Sequence, residues 1–294
     1  MNTIKDSELI ITPQGQIYHI GLRPEECADT VILVGDPARV ERVSRHFDSI
    51  EHRSSHREIV VHTGTYKGTR MTVLSSGIGP DNIDIVINEL DALKNIDLKT
   101  RCIKSHHSSM RIVRIGTSGS LQEDIPVDSY VVSRYGLGLD GVLHFYDSHS
   151  VRDIELEDAF IEQTNWNKDA ARPYVVSSDK DLYNALCSEK TYSGFTATAI
   201  GFYGPQGRVL RLALSQEDMN KKIEDFSYKG LRITNYEMET SAIYGLSSLL
   251  GHRACSINCI IANRAAGTFS SHPQDSIDNM IKYTLDKLSE MSIQ

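Results

Sequence analysis

The sequence predicts an α/β fold, because at three junctions an apolar strand gives way to a helical repeat. At the first, Val31-Ile32-Leu33-Val34 stops at Gly35-Asp36-Pro37, where Asp36 suits an N-cap and Pro37 the first helical position. At the second, Arg70 to Ser76 breaks at Gly77-Ile78-Gly79-Pro80, and a helix runs on to Lys94 with Ile83, Val86, Ile87 and Leu90 on one face. At the third, the extended stretch from Leu231 enters Asn235-Tyr236-Glu237-Met238-Glu239-Thr240, and Ser241 to Leu250 reads as a helix ending at Gly251. Small molecules bind such sheets at the carboxyl ends of the strands, so these junctions are where chemistry is expected.

The remaining elements follow in chain order. The N-terminus is polar as far as Tyr18-His19-Ile20-Gly21-Leu22 and reads as an arm reaching a neighbouring chain or as a frayed end. Ser55-His56-Arg57-Glu58 precedes an alternating segment from Ile59 to Tyr66, a hairpin strand that turns at Lys67-Gly68. Gly77-x-Gly79 lacks the third glycine of a dinucleotide fingerprint, which argues against a nicotinamide enzyme. Residues 95–110 are rich in Ser, His and Lys and read as an inserted surface loop, in which His106 and His107 are expected to be solvated. Arg111 to Ile115 is a strand entering the turn Gly116-Thr117-Ser118-Gly119, and Arg114 within it needs a partner, because a guanidinium rarely lies buried alone. Tyr130 to Ser133 is a strand; residues 151–190 read as helical or irregular; Ser193 to Gly201 is a strand entering Phe202 to Arg208. Arg253 to Asn263 is a long strand ending in Arg264, and Ile277, Ile281, Leu285 and Leu288 mark a closing helix.

The 294 residues show no linker or repeat, so one domain over 1–294 is expected. A net charge of −8 argues against a general nucleic-acid binder. There is no long apolar run and no signal-peptide pattern, so a soluble cytoplasmic protein with no membrane partner is expected. The five cysteines form no CxxC pair, which suggests reduced thiols rather than a disulfide framework or zinc site.

The residue types point to a ligand in three parts. Arg39, Arg57 and Arg114 lie near Gly- or Ser/Thr-containing turns, which suits a dianion such as phosphate. Glu237 and Glu239 flank the apolar Met238, which suits a polyol such as ribose. Gln206 and Arg208 can read an edge of carbonyl, N–H and carbonyl, and Phe202 can stack on a flat ring. Phosphate, ribose and pyrimidine together indicate nucleoside phosphorolysis.

The chain resembles the nucleoside phosphorylase family, and within it the uridine phosphorylases. The resemblance rests on Tyr18 to Leu22, Gly35-Asp36-Pro37-Ala38-Arg39-Val40, Ser55 to Glu58, Arg114 to Gly119, Phe202 to Arg208, Asn235 to Glu239, and Asn263-Arg264, in the family's order. It implies a mixed twisted sheet, partly closed as a barrel and surrounded by helices, in a homodimer or a hexamer of dimers with shared active sites. It further implies that Gly35, Arg39, Arg114 and Thr117 hold phosphate, with Arg57 supplied by the neighbouring subunit. Glu237, Met238 and Glu239 would hold ribose, with the neighbour's His19 at the 5′-hydroxyl. Gln206 and Arg208 would hold uracil, with Phe202 and Ile261 lining its pocket and Arg264 supporting that segment. Arg208, Gln206 and Arg114 would carry the chemistry on uridine and phosphate, with no cofactor. Glu58 would help bind a monovalent cation such as K+ at the subunit interface. The stretch from Ala265 to Gln274 departs from the family pattern. The rival readings are a purine phosphorylase or nucleosidase, which places an aspartate where this chain has Asn263, and an inactive binding protein on the same fold.

Overall fold

All three strand-to-helix junctions form, and they lie along one sheet. The computed structural model describes residues 3–291. Eleven strands make the sheet: β1 (Thr30–Val34), β2 (Ser49–His56), β3 (Ile59–Tyr66), β4 (Thr69–Ser75), β5 (Arg111–Ser120), β6 (Tyr130–Gly138), β7 (Tyr174–Ser177), β8 (Thr191–Thr198), β9 (Asn235–Glu237), β10 (Arg253–Asn263) and β11 (Thr268–Phe269). Around it lie α1 (Pro37–Ser44), α2 (Pro80–Asn95), α3 (Ile154–Thr164), α4 (Lys180–Leu186), α5 (Met219–Asp225), α6 (Thr240–Leu249) and α7 (Pro273–Met291).

The strands run in the order β11-β10-β6-β8-β9-β5-β1-β4-β3-β2, with β7 paired to β6. A further parallel pairing of β10 with β5 joins two distant strands of that order. Strands β5, β10, β6, β8 and β9 thereby close into a barrel, and β1 to β4 extend from it as a wing. Parallel and antiparallel pairs alternate irregularly, so the mixed, partly closed sheet expected from the family resemblance is what forms.

Helices on both faces explain why β1 is buried throughout and apolar from Val31 to Val34. Val31 and Leu33 face the cluster that includes α2 and α6, while Ile32 and Val34 face the one that includes α1 and α7. Helix α6 is buried from Thr240 to Ser247, which fixes the position of the acidic segment before it. Ile277, Ile281, Leu285 and Leu288 of α7 are buried as their spacing predicts, each contributing about 1.5–3 kcal/mol relative to exposure.

Three expectations are refined. The N-terminal segment is not frayed from residue 3 onward. Ile17, Ile20 and Leu22 are buried in the core cluster that contains the apolar face of α2, and Arg101 donates to the carbonyls of Ile4 and Lys5 at 2.8 and 2.9 Å. Isolated apolar residues in a polar stretch have no periodicity to reveal this packing. Residues 95–110 lie at the surface, with 103–109 exposed, yet the segment is tied down as well. Asn95 ends α2, Ile96–Asp97 pairs with Cys102–Ile103, and His107 Nε2 donates to Leu250 O at 2.8 Å. Asp91, His107 and His252 offer ligand atoms within 4.8 Å of one another. The Met110 amide, however, donates to His252 Nδ1, so the Nε2 proton faces Asp91 at 3.2 Å. With His107 Nε2 also donating, a single imidazole lone pair remains, too few for a metal cage. Finally, the stretch 151–190 holds β7 as well as α3 and α4. The five cysteines are free thiols, and no described helix is long and apolar enough to cross a membrane.

Candidate active site

The site is built from strand ends, beginning at β5. Arg114 is buried, and its guanidinium folds over Gly116: a Cβ on that glycine would lie 1.5 Å from Arg114 Nη1. Nη1 donates to Asn258 Oδ1 at 2.8 Å, and Nη2 donates to the Glu239 carboxylate. Glu237 Oε2 is 3.6 Å from the same Nη2. Burial pulls the Arg114 pKa down, but Glu239 and Glu237 outweigh it, so the group stays more firmly charged than an ordinary arginine. Gly116→Ala should therefore displace the Arg114 guanidinium and lower stability by about 1.5–3 kcal/mol, the worth of one charged hydrogen bond. Urea unfolding would check this; an unchanged midpoint would rule out the packing argument.

The end of β9 supplies the acids. Glu237 accepts from the Glu239 and Thr240 amides, each at 2.9 Å, and from Thr198 Oγ1 at 2.7 Å. It thus satisfies the free N–H groups at the start of α6, as an acid at a helix N-terminus does. Its pKa is raised, chiefly by burial; Arg114 works against this and Glu239 adds to it. Glu239 accepts from the Gly79 amide at 2.8 Å, which joins the second and third junctions. Met238 between them is half-buried and lines the cavity.

The first junction faces the same space. Asp36 caps α1 by accepting from the Ala38 amide at 2.9 Å, as the sequence predicts. Arg39 Nη1 donates to Ile115 O at 3.3 Å, while its buried Nε has no partner among the described residues. Burial first, and then the charge of Arg114, lowers the Arg39 pKa to about 10. Two guanidinium groups held this way favour an anion between them.

Also on the cavity wall, Arg208 stacks on Phe202, with Cζ 3.8 Å from the ring centroid. Its Nη1 donates to Phe202 O and to Gln206 Oε1, both at 2.6 Å. This refines the sequence reading in two ways. One face of Phe202 is already covered by Arg208, and the Gln206 oxygen is engaged, so the pair presents N–H donors outward. Arg264 Nη2 donates to Gln206 O at 2.6 Å from behind. Asn263 lies off the cavity wall: its Nδ2 donates to Gln122 O and Ile125 O, and its Oδ1 accepts from Ala266 N.

A single cavity of about 750 Å³ collects Gly35, Arg39, Arg114, Thr117 and the three residues Glu237 to Glu239. Phe202, Gln206, Arg208 and Ile261 line it as well. His19 and Arg57 do not; they line a separate cleft of about 20 Å³ that shares Glu58 with the main cavity. Arg57 sits at the β2–β3 turn with φ 56°, and His19 Nδ1 meets the Glu89 carboxylate. Ile78, Phe269 and Asn258 were not singled out from the sequence. Asn258 had the same signal as Arg114, a polar side chain within an apolar strand. Ile78 and Phe269 are exposed apolar residues whose role depends on which loops meet.

The sequence profile of the Phosphorylase superfamily matches residues 29–290. The chain belongs to that superfamily. This phosphorylase is similar to a Trypanosoma brucei nucleoside phosphorylase whose crystal structure is described as showing uridine phosphorylase activity. The two share 32% identity at a TM-score of 0.87, covering 96% of this chain and 99% of that one. It is 29% identical over 261 residues to the uridine phosphorylase of Thermococcus kodakarensis, covering 88% of this chain and 81% of that protein. It is 25% identical to the DeoD-type purine nucleoside phosphorylase of Streptococcus suis, covering 92% and 98%.

Proposed function

We propose that this phosphorylase catalyses the reversible phosphorolysis of uridine to uracil and α-ribose 1-phosphate. The observation that carries the proposal is that three sets of groups line one cavity: Arg39 and Arg114, the two acids around Met238, and the donors Gln206 and Arg208. The similarity to uridine phosphorylases supports it. Phosphate, held by Arg39, Arg114, Gly35 and Thr117, attacks C1′ from the face opposite the base. The C1′–N1 bond breaks with its electron pair leaving on uracil, a C1′–O bond to phosphate forms, and the proton that hydrogen phosphate carried passes through solvent to neutralise the uracil anion. Phosphate is already an anion and needs no general base, so the arginines act by positioning it. Met238 and Glu239 hold the ribose, and Glu237 braces the start of α6 beneath them. Gln206 and Arg208 donate to the uracil carbonyls and stabilise the charge that develops on the departing base.

The reaction needs no cofactor, because phosphate is the second substrate. His19 and Arg57 would complete the site of a second copy of the chain, since in their own chain they lie in the separate cleft. Glu58 would be this chain's anionic donor to a monovalent cation between copies; Arg57 lines the same cleft and competes for it, and no step depends on that ion.

The purine reading draws on the similarity to purine nucleoside phosphorylases. Against it, Asn263 has no titratable proton and is occupied by backbone groups. Base release from uridine, inosine and methylthioadenosine, each with and without phosphate, separates the readings. Phosphate-dependent uracil release is expected. Hypoxanthine or adenine release would favour the purine reading, cleavage without phosphate a nucleosidase, and no turnover at all a binding protein.

A further inference from the structure

Arg114 lies within a closed ring of hydrogen bonds whose far side is made by β10. Asn258 Oδ1 accepts from Arg114 Nη1 at 2.8 Å, and Asn258 Nδ2 donates to Ser256 Oγ at 3.2 Å. Thr240 Oγ1 donates to the same Ser256 oxygen at 3.0 Å, and the Thr240 amide donates to Glu237. Glu237 and Glu239 then lead back to Arg114. Asn258, Ser256 and Thr240 are fully buried. The β5–β10 register sets Asn258 directly opposite Gly116, the residue whose missing side chain makes room for the guanidinium.

We propose that Asn258 is the positioning residue of Arg114: its amide oxygen fixes the rotation of the guanidinium that receives phosphate. The inference rests on the phosphorolysis proposed above. Two features of the ring argue for it. First, Glu237 Oε2 stands 3.6 Å from Nη2, close enough to compete for it but not yet hydrogen-bonded. Without Asn258, the guanidinium has a second carboxylate to turn toward, and a pairing with both glutamates would direct its remaining N–H groups away from the cavity. Second, the acceptor on Nη1 is neutral. An amide aligns the fork without cancelling its charge, which leaves that charge for a dianion. The contact that decides how phosphate is held thus comes from a strand contributing no charge to the site.

The test is Asn258→Ala, assayed as the intact enzyme with phosphate varied at saturating uridine and with uridine varied at saturating phosphate. Loss of the contact should raise the phosphate KM about tenfold, as expected for one hydrogen bond to a charged group, and leave the uridine KM within about twofold. The rise in Tm on adding inorganic phosphate, which needs no turnover, should shrink in parallel. A merely structural role would lower Tm without separating the two KM values, and a phosphate KM within about twofold of wild type would overturn the proposal. If Asn258→Ala does not fold, Asn258→Ser keeps the position polar but is too short to reach Arg114, and it is judged by the same two outcomes. Failure of the functional reading itself looks different: the wild-type enzyme would then release no uracil in response to phosphate.

Discussion

Arg114→Gln should remove most of the phosphorolysis and destabilise the fold at the same time. The substitution leaves Glu237 and Glu239 buried beside each other without their cation. Breaking a buried pair in this way costs about 3–5 kcal/mol. The loss of a preorganised charge at the nucleophile should lower kcat/KM by about 10²–10³-fold. The two effects have different pH signatures. The Glu237 pKa already lies above its ordinary 4.5 because of burial, and removing Arg114 takes away the largest influence lowering it. A carboxyl group with a raised folded-state pKa stabilises the protein below its unfolded value and loses that stabilisation as pH rises through the folded value. The variant should therefore lie closest to wild type near ~pH 5 and fall furthest behind near ~pH 8 in urea unfolding. Equal destabilisation at both pH values would mean that the ion cluster is not what Arg114 supports.

Arg208→Ala should lose more than about 2 kcal/mol of transition-state stabilisation, mainly in kcat, because charge develops on the base only as the glycosidic bond breaks. The loss has two parts. One is the donor itself, whose pKa is lowered by burial and then by Arg264. The other is the arrangement it holds, since Arg208 ties the Phe202 carbonyl to the Gln206 side chain and covers the Phe202 ring. Lysine should not rescue activity, because a point charge cannot make this fork or stack in the same way. A kcat/KM within about twofold of wild type would remove Arg208 from the mechanism.

Much of the site could be read directly from the sequence because each part lies within a short segment. Asp36 and Pro37 start α1 through the chemistry of those two residues alone, and the helical spacing from Ile277 to Leu288 determines which face of α7 is buried. Glu237, Met238 and Glu239 are neighbours in sequence, as are Gln206 and Arg208, so their grouping needs no fold to be seen. Arg114 stood out as a charge in an apolar strand, and the structure supplies the partners that such a position demands.

What the sequence by itself determined is therefore local: the strand and helix periods, the caps and turns, the α/β class, and the residue types that make up each third of the site. What only the tertiary structure decided is how those parts meet. Asn258 and Arg114 are separated by 144 positions and touch only because β10 lies parallel to β5 in one register. The burial of Ile17, Ile20 and Leu22, the engagement of the Gln206 oxygen by Arg208, and the separation of His19 and Arg57 from the cavity have the same origin. Backbone propensity and hydrophobic period act over a turn or a few residues. Strand register and the closure of a barrel depend on side chains packing across the whole sheet, so they appear only when distant segments are brought together.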